Sequence, residues 1–377
     1  MQVSKQQRRN ILKTLGAGAI ATAIGGCAPM ATRAPKYPRF YSRQPWAKPR
    51  VSMDNVIRSI VGHRPYRPSG FNVSKERFDE KTVVHNYGHG GGGISLSWGS
   101  SALAVRETMG MTPGDVAVIG SGVMGLTSAR LLQDAGWNVT IYTRNVARHT
   151  TSNVAAGEWS PFSAHDPEVS SAAFKSQFAW ASRIAHHAYT NLGGADYGIR
   201  WLETYQLSDS TEEPDNVELA DLFPMTRVLG PGEHPFPTTY ARSFVTMQID
   251  PAVLLRQLIE DFQIGGGKFV IRNFKDRADV LSVKESVIFN CSGLGAAELF
   301  EDDELIPAKG QLVYIPPDPA VDYMTFGGGE GMLYMFPRSD VILLGGTFKL
   351  GDYTTNPEPE ETFRIVTEHQ KMFAGFG

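Results

Sequence analysis

Residues 115–130 read Asp115-Val-Ala-Val-Ile-Gly120-Ser-Gly122-Val-Met-Gly125-Leu-Thr-Ser-Ala-Arg130, and residues 138–142 continue with Asn138-Val-Thr-Ile-Tyr142. An apolar run leads into a turn with three glycines, and a segment with apolar residues at helical spacing follows. Gly136 ends that segment before the second β-branched run. This order of strand, glycine turn, helix and strand predicts the opening βαβ unit of a dinucleotide-binding fold.

Each glycine of the turn has a physical role in such a fold. Gly120 permits the tight turn, Gly122 lets the backbone approach a pyrophosphate, and Gly125 allows close packing of helix on strand. The helix N-terminus, at Val123 and Met124, offers free N–H groups and a partial positive charge. These five residues are therefore candidate cofactor-binding residues.

The composition bounds the class of protein. A chain of 377 residues, 42% of them hydrophobic, can bury a sizeable core and is expected to form two connected domains. A net charge of −3 and a pI near 6.3 give no global attraction for nucleic acid. The two cysteines, Cys27 and Cys291, predict no disulfide framework, since Cys27 lies in a leader-like segment.

The first 27 residues have the pattern of an export signal. Arg8 and Arg9 precede a moderately apolar run that is shorter than the about 20 apolar residues of a membrane span, and small residues lead to Cys27. The arginine pair resembles the twin-arginine export motif, and Ile24-Gly-Gly-Cys27 resembles a lipobox. These motifs imply a periplasmic or cell-surface bacterial lipoprotein, anchored to the membrane through a lipid on Cys27. The alternative is an amphipathic N-terminus with a chance cysteine, and the proline-rich residues 28–50 are predicted to be a tether.

Two arginines lie in a proline-containing segment ahead of the fingerprint. Residues 56–61 predict a strand, and Gly62-His63-Arg64-Pro65-Tyr66-Arg67-Pro68 predicts a stiff loop, because proline disfavours helix on both sides of Tyr66 and Arg67. A rigid guanidinium suits bidentate recognition of a carboxylate. Taken alone, the segment favours the interpretation of Arg64 and Arg67 as surface arginines.

A second glycine-rich turn spans residues 88–93. It lies between a predicted strand, Thr82-Val-Val-His85-Asn-Tyr, and a predicted helix through Val105, so it predicts another close approach of backbone to a ligand. A merely flexible glycine loop is the alternative, and it fits poorly with the aromatic and β-branched flanks. His85 and His89 are four residues apart, but the flanking glycines argue against the helix that a metal pair needs, and no metal is predicted.

These segments resemble the D-amino-acid oxidase family. Residues 83–99, Val-Val-His-Asn-Tyr-Gly-His-Gly-Gly-Gly-Gly-Ile-Ser-Leu-Ser-Trp-Gly, are similar to the family signature, and residues 62–70 to its arginine loop. Further stretches match in the family's own order, at residues 150–159, 288–293, 309–311, 334–337 and 344–348. The resemblance covers roughly residues 55 to 373. The signature and the arginine loop normally lie near the C-terminus, so the order here is that of a circular permutation, joined through the short stretch 107–114.

The resemblance implies an α/β fold with a discontinuous Rossmann-like FAD-binding domain and an antiparallel-sheet substrate domain. The implied organisation is an export signal (1–27), a tether (28–50), the permuted C-terminal part (51–110), the FAD-binding βαβ unit (111–165), mainly substrate domain (166–250), FAD-binding domain (251–305) and mainly substrate domain (306–377). Short apolar runs at 204–207, 244–249, 312–315, 332–336 and 341–345 suit the antiparallel sheet.

The resemblance also implies FAD as cofactor. It assigns Thr150, Thr151 and Gly157 to the pyrophosphate and isoalloxazine, with Glu158 next to them. It assigns Phe274 and Ser292 to the adenine, and Gly90, Gly91, Gly93, Ile94 and Ser95 to the flavin edge. Thr143 stands where an acid commonly holds the ribose, and Arg144 follows, which alone would favour an NADP phosphate. Fungal family members also lack this acid, so FAD remains the expectation.

The implied activity is oxidation of a D-amino acid by hydride transfer to flavin. The imino acid product hydrolyses to a 2-oxo acid, and oxygen re-oxidises the flavin to give hydrogen peroxide. Arg64 and Tyr334 would hold the substrate carboxylate, and the carbonyl of Gly91 would receive the amino group. Glu158 and Glu330 raise the hypothesis of basic D-amino acids, against the alternative that both face solvent.

Three other functions remain open. The chain could be an amine or imino-acid dehydrogenase with another electron acceptor, a non-catalytic flavin-binding lipoprotein, or an NAD(P)-dependent dehydrogenase. The oligomeric state is open as well, with a homodimer as one alternative.

Overall fold

Two β-sheets and the helices packed on them make up the part of the chain that the computed structural model describes, which is residues 46–146, 150–211 and 217–376. In chain order the strands are β1 (Arg58–Tyr66), β2 (Asn72–Phe78), β3 (Lys81–Tyr87), β4 (Asp115–Ile119), β5 (Asn138–Thr143), β6 (Ile199–Ser208), β7 (Arg227–Leu229), β8 (Tyr240–Ile249), β9 (Lys268–Ile271), β10 (Val287–Asn290), β11 (Ile306–Ile315), β12 (Tyr323–Gly327), β13 (Tyr334–Pro337), β14 (Ile342–Gly345) and β15 (Lys349–Leu350). The α-helices are α1 (Gly93–Arg106), α2 (Val123–Asp134), α3 (Thr151–Val154), α4 (Ala172–Asn191), α5 (Pro251–Ile264), α6 (Arg277–Leu281), α7 (Gly295–Phe300) and α8 (Pro359–Met372). Short 3₁₀ turns cover Met53–Asn55, Gly90–Gly92 and Val217–Leu222.

The first sheet carries the glycine fingerprint. Its strand order is β2-β3-β10-β4-β5-β9, in which every pair is parallel except the antiparallel edge pair β2–β3. Strand β10 is buried along its whole length between β3 and β4, as expected of an inner strand of a covered parallel sheet. The predicted βαβ unit is confirmed, with α2 between β4 and β5. The carboxyl ends of the five parallel strands therefore meet along one edge.

The second sheet contains nine of the described strands. Its order is β1-β11-β14-β13-β12-β6-β8-β7, and β15 also pairs with β11. All of its pairs are antiparallel except β12–β6, so the prediction of an antiparallel second sheet is confirmed with that exception. Strand β11 is buried from Pro307 to Ile315, between the edge strand β1 and β14.

Strand β1 corrects one expectation. Residues 62–66 were expected in a stiff loop, but they continue the strand and pair with β11, with Arg64 opposite Ala308. Pro65 is tolerated because β1 is the edge strand of its sheet, where a proline breaks no inner ladder bond. Arg64 therefore projects from a strand rather than from a loop.

Helix α4 was not predicted. Ser171 caps it by accepting a hydrogen bond from the backbone N–H of Phe174 at 3.1 Å. It packs closely on α1, since a Cβ added at Gly99 would meet the backbone of Ala181. This long helix thus supports the helix that begins at the second glycine turn.

The residues entering β1 and those following α8 lie side by side. The hydroxyl of Tyr323 donates to the carbonyl of Ala47 at 2.9 Å, and its ring stacks on Phe376 at 6.3 Å. The amide of Gln370 donates to the carbonyl of Val51 at 3.2 Å. At the other junction, residues 107–114 join α1 to β4 at the surface, where a Cβ at Gly110 would meet no atom within 4 Å.

The predicted export signal, with Cys27, lies outside the described residues. Within the residues that are described, no helix combines the length and apolar character that crossing a bilayer requires. The division into domains given above stays a prediction.

Candidate active site

A cavity of about 950 Å³ lies between the two sheets. One wall is built by the residues that follow the parallel strands, including the two glycine turns. The opposite wall comes from the antiparallel sheet, with Arg64, Leu312, Tyr334 and Phe336. The fold thereby brings together two regions of sequence that are far apart along the chain.

The first glycine turn has the geometry that a diphosphate needs. Gly120 has φ +103°, and a Cβ there would lie 2.5 Å from the carbonyl oxygen of Cys291. A Cβ at Gly125 would meet the carbonyl oxygen of Gly120, so helix and turn are in direct contact. Gly122 begins α2 without a side-chain cap. The first backbone N–H groups of α2 therefore have no intrahelical acceptor and face the cavity. The exception is the N–H of Val123, which donates to Ser152 Oγ at 3.0 Å.

The second strand of the βαβ unit ends without an acid. Thr143 is buried, and its hydroxyl donates to the carbonyl of Asn145 at 2.7 Å. Arg144 lines the cavity beside it and is exposed. The cavity then continues past residues 272–275, where the guanidinium of Arg272 lies 4.6 Å from the ring centre of Phe274. Ser292 lines the same region and donates from its hydroxyl to Asn290 Oδ1 at 2.6 Å.

The second glycine turn is fixed by the loop that follows Glu158. The backbone N–H of Gly91 donates to the carbonyl of Ser163 at 2.9 Å, and Ser163 has φ +55°. His89 stacks on Phe71 with ring centres 4.7 Å apart, and burial lowers the pKa of its imidazole to about 3. His89 is therefore neutral and a very weak base at physiological pH.

Arg64 reaches the cavity from β1. Its Nη2 donates to the hydroxyl of Tyr334 at 3.2 Å, and its Nη1 to the carbonyl of Thr347 at 3.4 Å. None of the ion pairs among the described residues involves Arg64, although its guanidinium is only partly exposed. A guanidinium with two neutral partners and no carboxylate has capacity left for an anionic ligand. A Cβ at Gly91 would lie 3.7 Å from Arg64 Cδ, so the arginine and the glycine turn border the same space.

Glu158 follows a glycine with a left-handed backbone conformation at the cavity wall. Gly157 has φ +89°, and a Cβ there would meet the carbonyl oxygen of Ile249. The hydroxyl of Ser95 donates to the backbone carbonyl of Glu158 at 3.2 Å. Burial raises the pKa of the Glu158 carboxyl to about 8.

Most of the predicted site residues come together around this one cavity. Those that line it are Arg64, Gly90, Gly91, Gly93, Ile94, Gly120, Gly122, Val123, Met124, Arg144, Thr150, Thr151, Gly157, Glu158, Phe274, Ser292 and Tyr334. Gly125 does not line the cavity and allows α2 to pack against the glycine turn. Ser95 does not line it either and donates to the backbone carbonyls of Glu158 and Ser160. Glu330 is exposed and does not line the cavity. The roles of all these predicted site residues in binding a ligand stay predictions.

Several lining residues were missed by sequence reasoning. Thr347 accepts a hydrogen bond from Arg64 through its backbone carbonyl. Gly310 leaves room for the guanidinium because it has no side chain. Neither interaction leaves a signal in the residue type. Phe162 and Phe326, with ring centres 6.1 Å apart, contribute an aromatic wall that only the fold brings together.

The cavity fits a dinucleotide cofactor. Two positions where a Cβ would strike backbone, Gly120 and Gly157, and one free helix N-terminus lie along it. The residues that would hold such a group are those from Gly120 to Met124 at the diphosphate, and the second glycine turn at the ring. No group of three or more histidine, cysteine or acidic side chains suited to a metal occurs among the described residues.

Comparison with known proteins agrees with this geometry. The family described as "DAO: FAD dependent oxidoreductase" matches residues 115–376. The D-amino-acid oxidase of Streptomyces coelicolor is 32% identical over 259 residues, which is 67% of this chain and 76% of that protein. The D-aspartate oxidase of Homo sapiens is 27% identical over 259 residues, covering 67% of this chain and 74% of that one.

Solved structures show the same fold at lower identity. Glycine oxidase from Bacillus cereus superposes with a TM-score of 0.53 at 16% identity, covering 68% of this chain and 77% of that one. L-Proline dehydrogenase from P. horikoshii gives a TM-score of 0.52 at 16% identity, with coverage of 70% and 77%. The fingerprint, the cavity and the family match together identify the chain as an FAD-dependent oxidoreductase that belongs to the D-amino-acid oxidase family.

Proposed function

We propose that this protein oxidises D-amino acids to imino acids, which hydrolyse to 2-oxo acids, with oxygen as electron acceptor and hydrogen peroxide as second product. One observation carries the proposal. Arg64 has no carboxylate partner within the described part of the chain, and its guanidinium faces the cavity that the glycine turns border. A D-amino-acid oxidase among the relatives supports the same substrate class.

The carboxylate of the substrate is held by Arg64 and Tyr334. The guanidinium fork matches the two carboxylate oxygens, and the Tyr334 hydroxyl, which already accepts from Arg64, donates to one of them. The carbonyl of Gly91 receives the amino group. Three fixed contacts orient the α-C–H bond, which is the main contribution that a protein makes to such a step.

FAD, when bound, supplies the two-electron acceptor for the hydride on the α-carbon, and its re-oxidation by oxygen yields hydrogen peroxide. His89 does not act as a base here, since it is stacked and its pKa is lowered to about 3. The amine gives its proton to solvent as the substrate binds, so the step requires no protein base. The aromatic wall of Phe162 and Phe326 keeps water from the reacting atoms.

The test is anaerobic mixing of the FAD-loaded protein with separate D- and L-amino acids. Bleaching of the flavin absorbance by D-amino acids, followed by peroxide when air is admitted, is the expected result. Bleaching without peroxide would favour the alternative of a dehydrogenase with another acceptor. Protein that stays yellow with every amino acid would refute oxidation of amino acids and support a non-catalytic flavin-binding protein.

We also propose that the chain is circularly permuted. The family match begins at residue 115, whereas β3, encoded earlier, pairs with β10 inside the parallel sheet, and α1 follows it. Ala47 and Phe376 both contact Tyr323, so the segment before β1 and the segment after α8 lie close enough for a short linker to connect them. In the conventional order of the family, the two chain ends would lie within the stretch 107–114.

We propose further that the protein is exported by the twin-arginine pathway and anchored through Cys27. The Arg8–Arg9 pair and the residues 24–27 support this, as does the advantage of exporting a folded protein with its cofactor. Mass analysis of the mature N-terminus tests it. Replacing Cys27 by alanine should release the protein from the membrane fraction, and release of the unchanged protein would refute the anchor.

A further inference from the structure

Among the residues that the structure describes, the carboxyl group of Glu158 has no hydrogen-bond or ionic partner. Its Oε1 is inaccessible to solvent and accepts no hydrogen bond, and no described residue forms an ion pair with it. The residue as a whole is partly exposed, and it lines the cavity, so the exposed part of the side chain faces the cavity. A buried acid without a cation is costly to ionise, which is why its pKa is raised to about 8.

The backbone holds Glu158 in place. Its carbonyl accepts from Ser95 Oγ at 3.2 Å, and the residue forms a β-bridge with Gln248. The next residue, Trp159, donates from its backbone N–H to the carbonyl of Met247 at 2.7 Å. These bonds fix the backbone from which the side chain extends at the cavity wall.

Glu158 belongs to the compartment that Arg64 borders. Ala156, two residues earlier, packs in one apolar cluster with Tyr334 and Phe336, and Tyr334 accepts the hydrogen bond of Arg64. The only other acid among the described lining residues is Glu298. It lies in α7 beside Leu299, which packs with Phe274 at the strand ends of the parallel sheet.

The walls of this compartment are mostly apolar. Leu312, Phe326, Met332 and Phe336 line it from the antiparallel sheet. Such walls suit a chain of methylene groups, and a single acid among them suits a cation at the end of that chain. A compartment bordered by the guanidinium of Arg64 and the carboxyl of Glu158, neither with an ionic partner among the described residues, is complementary to a ligand with one carboxylate and a distal cation.

We propose that Glu158 binds the side-chain ammonium or guanidinium of a basic D-amino acid, such as D-lysine or D-arginine, whose α-carboxylate lies on Arg64. This inference rests on the proposed function. Cation and carboxyl then neutralise each other out of water, and the methylene groups pack on the apolar walls. Acidic D-amino acids are excluded because they bring a second carboxylate to Glu158.

The test compares ligands that differ only in the distal charge. D-Lysine and D-norleucine have the same chain length, and only the former has a terminal ammonium. The wild type is expected to prefer D-lysine in kcat/KM. Glu158→Gln should lower kcat/KM for D-lysine by about 30-fold or more, the range for losing a desolvated charge pair, while D-norleucine changes by less than about threefold. The exposed Glu330→Gln variant is the matched control and should leave both values unchanged.

A binding measurement removes the dependence on turnover. 6-Aminohexanoate and hexanoate carry the same carboxylate, with and without a distal ammonium, and neither has an α-amino group to oxidise. Titration of the oxidised holoenzyme, followed by the flavin spectrum, should show tighter binding of 6-aminohexanoate, and Glu158→Gln should abolish the difference.

The outcomes separate this inference from the proposed function. If neutral D-amino acids bleach the flavin and D-lysine does not, only the inference about Glu158 fails. A parallel loss for D-lysine and D-norleucine in Glu158→Gln would also overturn it, because the carboxyl would then act on a group that both share. If no D-amino acid bleaches the flavin, the proposed function itself fails, and the inference with it.

Discussion

Replacing Gly310 by alanine tests the role of Arg64 without touching its charge. Gly310 lies in β11 opposite Gly62, and a Cβ there would lie 2.5 Å from Arg64 Nη1 and 2.8 Å from Cζ. Ordinary contacts begin at 3.4 Å, so the guanidinium must move by about 0.9 Å. The φ of Gly310 is not positive, so alanine introduces no backbone strain in this strand.

The expected cost is large for a single methyl group. A displacement of about 1 Å in a group that orients the substrate can cost about 100-fold in rate. We therefore expect kcat/KM of Gly310→Ala to fall by about 10- to 100-fold, equivalent to about 1.4–2.8 kcal/mol of transition-state binding. The thermal midpoint should stay the same, because the new methyl group meets the end of a flexible side chain and not backbone.

The assay is peroxide release with the D-amino acid that is turned over fastest, together with propionate binding followed by the flavin spectrum. Gly114→Ala is the matched control, since a Cβ there would meet no atom within 4 Å and its φ is not positive. The double variant with Arg64→Ala completes a cycle. Without the guanidinium the methyl group at position 310 has nothing to displace, so the two effects should not add.

The reasoning would be refuted by a folded, FAD-loaded Gly310→Ala protein with kcat/KM and propionate affinity within about twofold of the wild type. Additive losses in the double variant would refute it as well, since Gly310 would then act on some other group.

Three further predictions follow from the same structure. Gly120→Ala should purify without FAD, because its Cβ would lie 2.5 Å from a backbone carbonyl oxygen, and Gly110→Ala, with a positive φ but open surroundings, should stay yellow. The pKa of Glu158 is raised from 4.5 to about 8 in the folded protein, so its contribution to stability is fully present below pH 4.5 and is lost progressively as the pH rises from there through 8. The thermal midpoint of the ligand-free protein should fall over that range and level off above it, and Glu158→Gln should lack that fall. Parallel pH profiles of the two proteins across that range would contradict it. A rearranged chain can be made that runs from residue 111 to 376 and then, through a short glycine-serine linker, from 46 to 110. It should bind FAD and have a kcat within a few-fold of that of the original chain. A soluble but colourless product would contradict the adjacency of the joined segments.

The opening βαβ unit is the part of the fold that local sequence specifies most directly. Its glycines have steric roles that no other residue type can fill, so their spacing identifies the turn. The convergence of the second glycine turn on the same cavity was predictable only through the family resemblance. Nothing local in residues 88–93 states that β3 lies beside β10, about 200 residues later.

Two of the errors in secondary structure, at β1 and at α4, have different causes. Strand β1 was shortened because the prolines in residues 62–68 suggest a loop, while its pairing with β11 is a contact far along the chain. Helix α4 had a local signal that was overlooked. Ser171 is a good N-cap, and Phe174, Phe178 and Ala181 repeat at helical spacing.

The site was predictable to the extent that it depends on residue types. Arg64 and Glu158 were recognisable as charged residues, but their lack of ionic partners among the described residues appears only in the folded structure. The contacts of Thr347 and Gly310 with Arg64 depend on backbone atoms, which any sequence provides. The export signal, the permutation and the oligomeric state stay predictions.

The contact of Gly120 with the carbonyl of Cys291 has a consequence for biosynthesis. The two residues are separated by most of the βαβ unit, four further α-helices and three strands of the other sheet, so a ribosome must have passed residue 291 before this pair can meet. Until then the nucleotide cradle lacks one side. Cofactor loading is consequently a late event in maturation, and nascent chains released before residue 291 are expected to be substrates for quality control and not partially active enzymes.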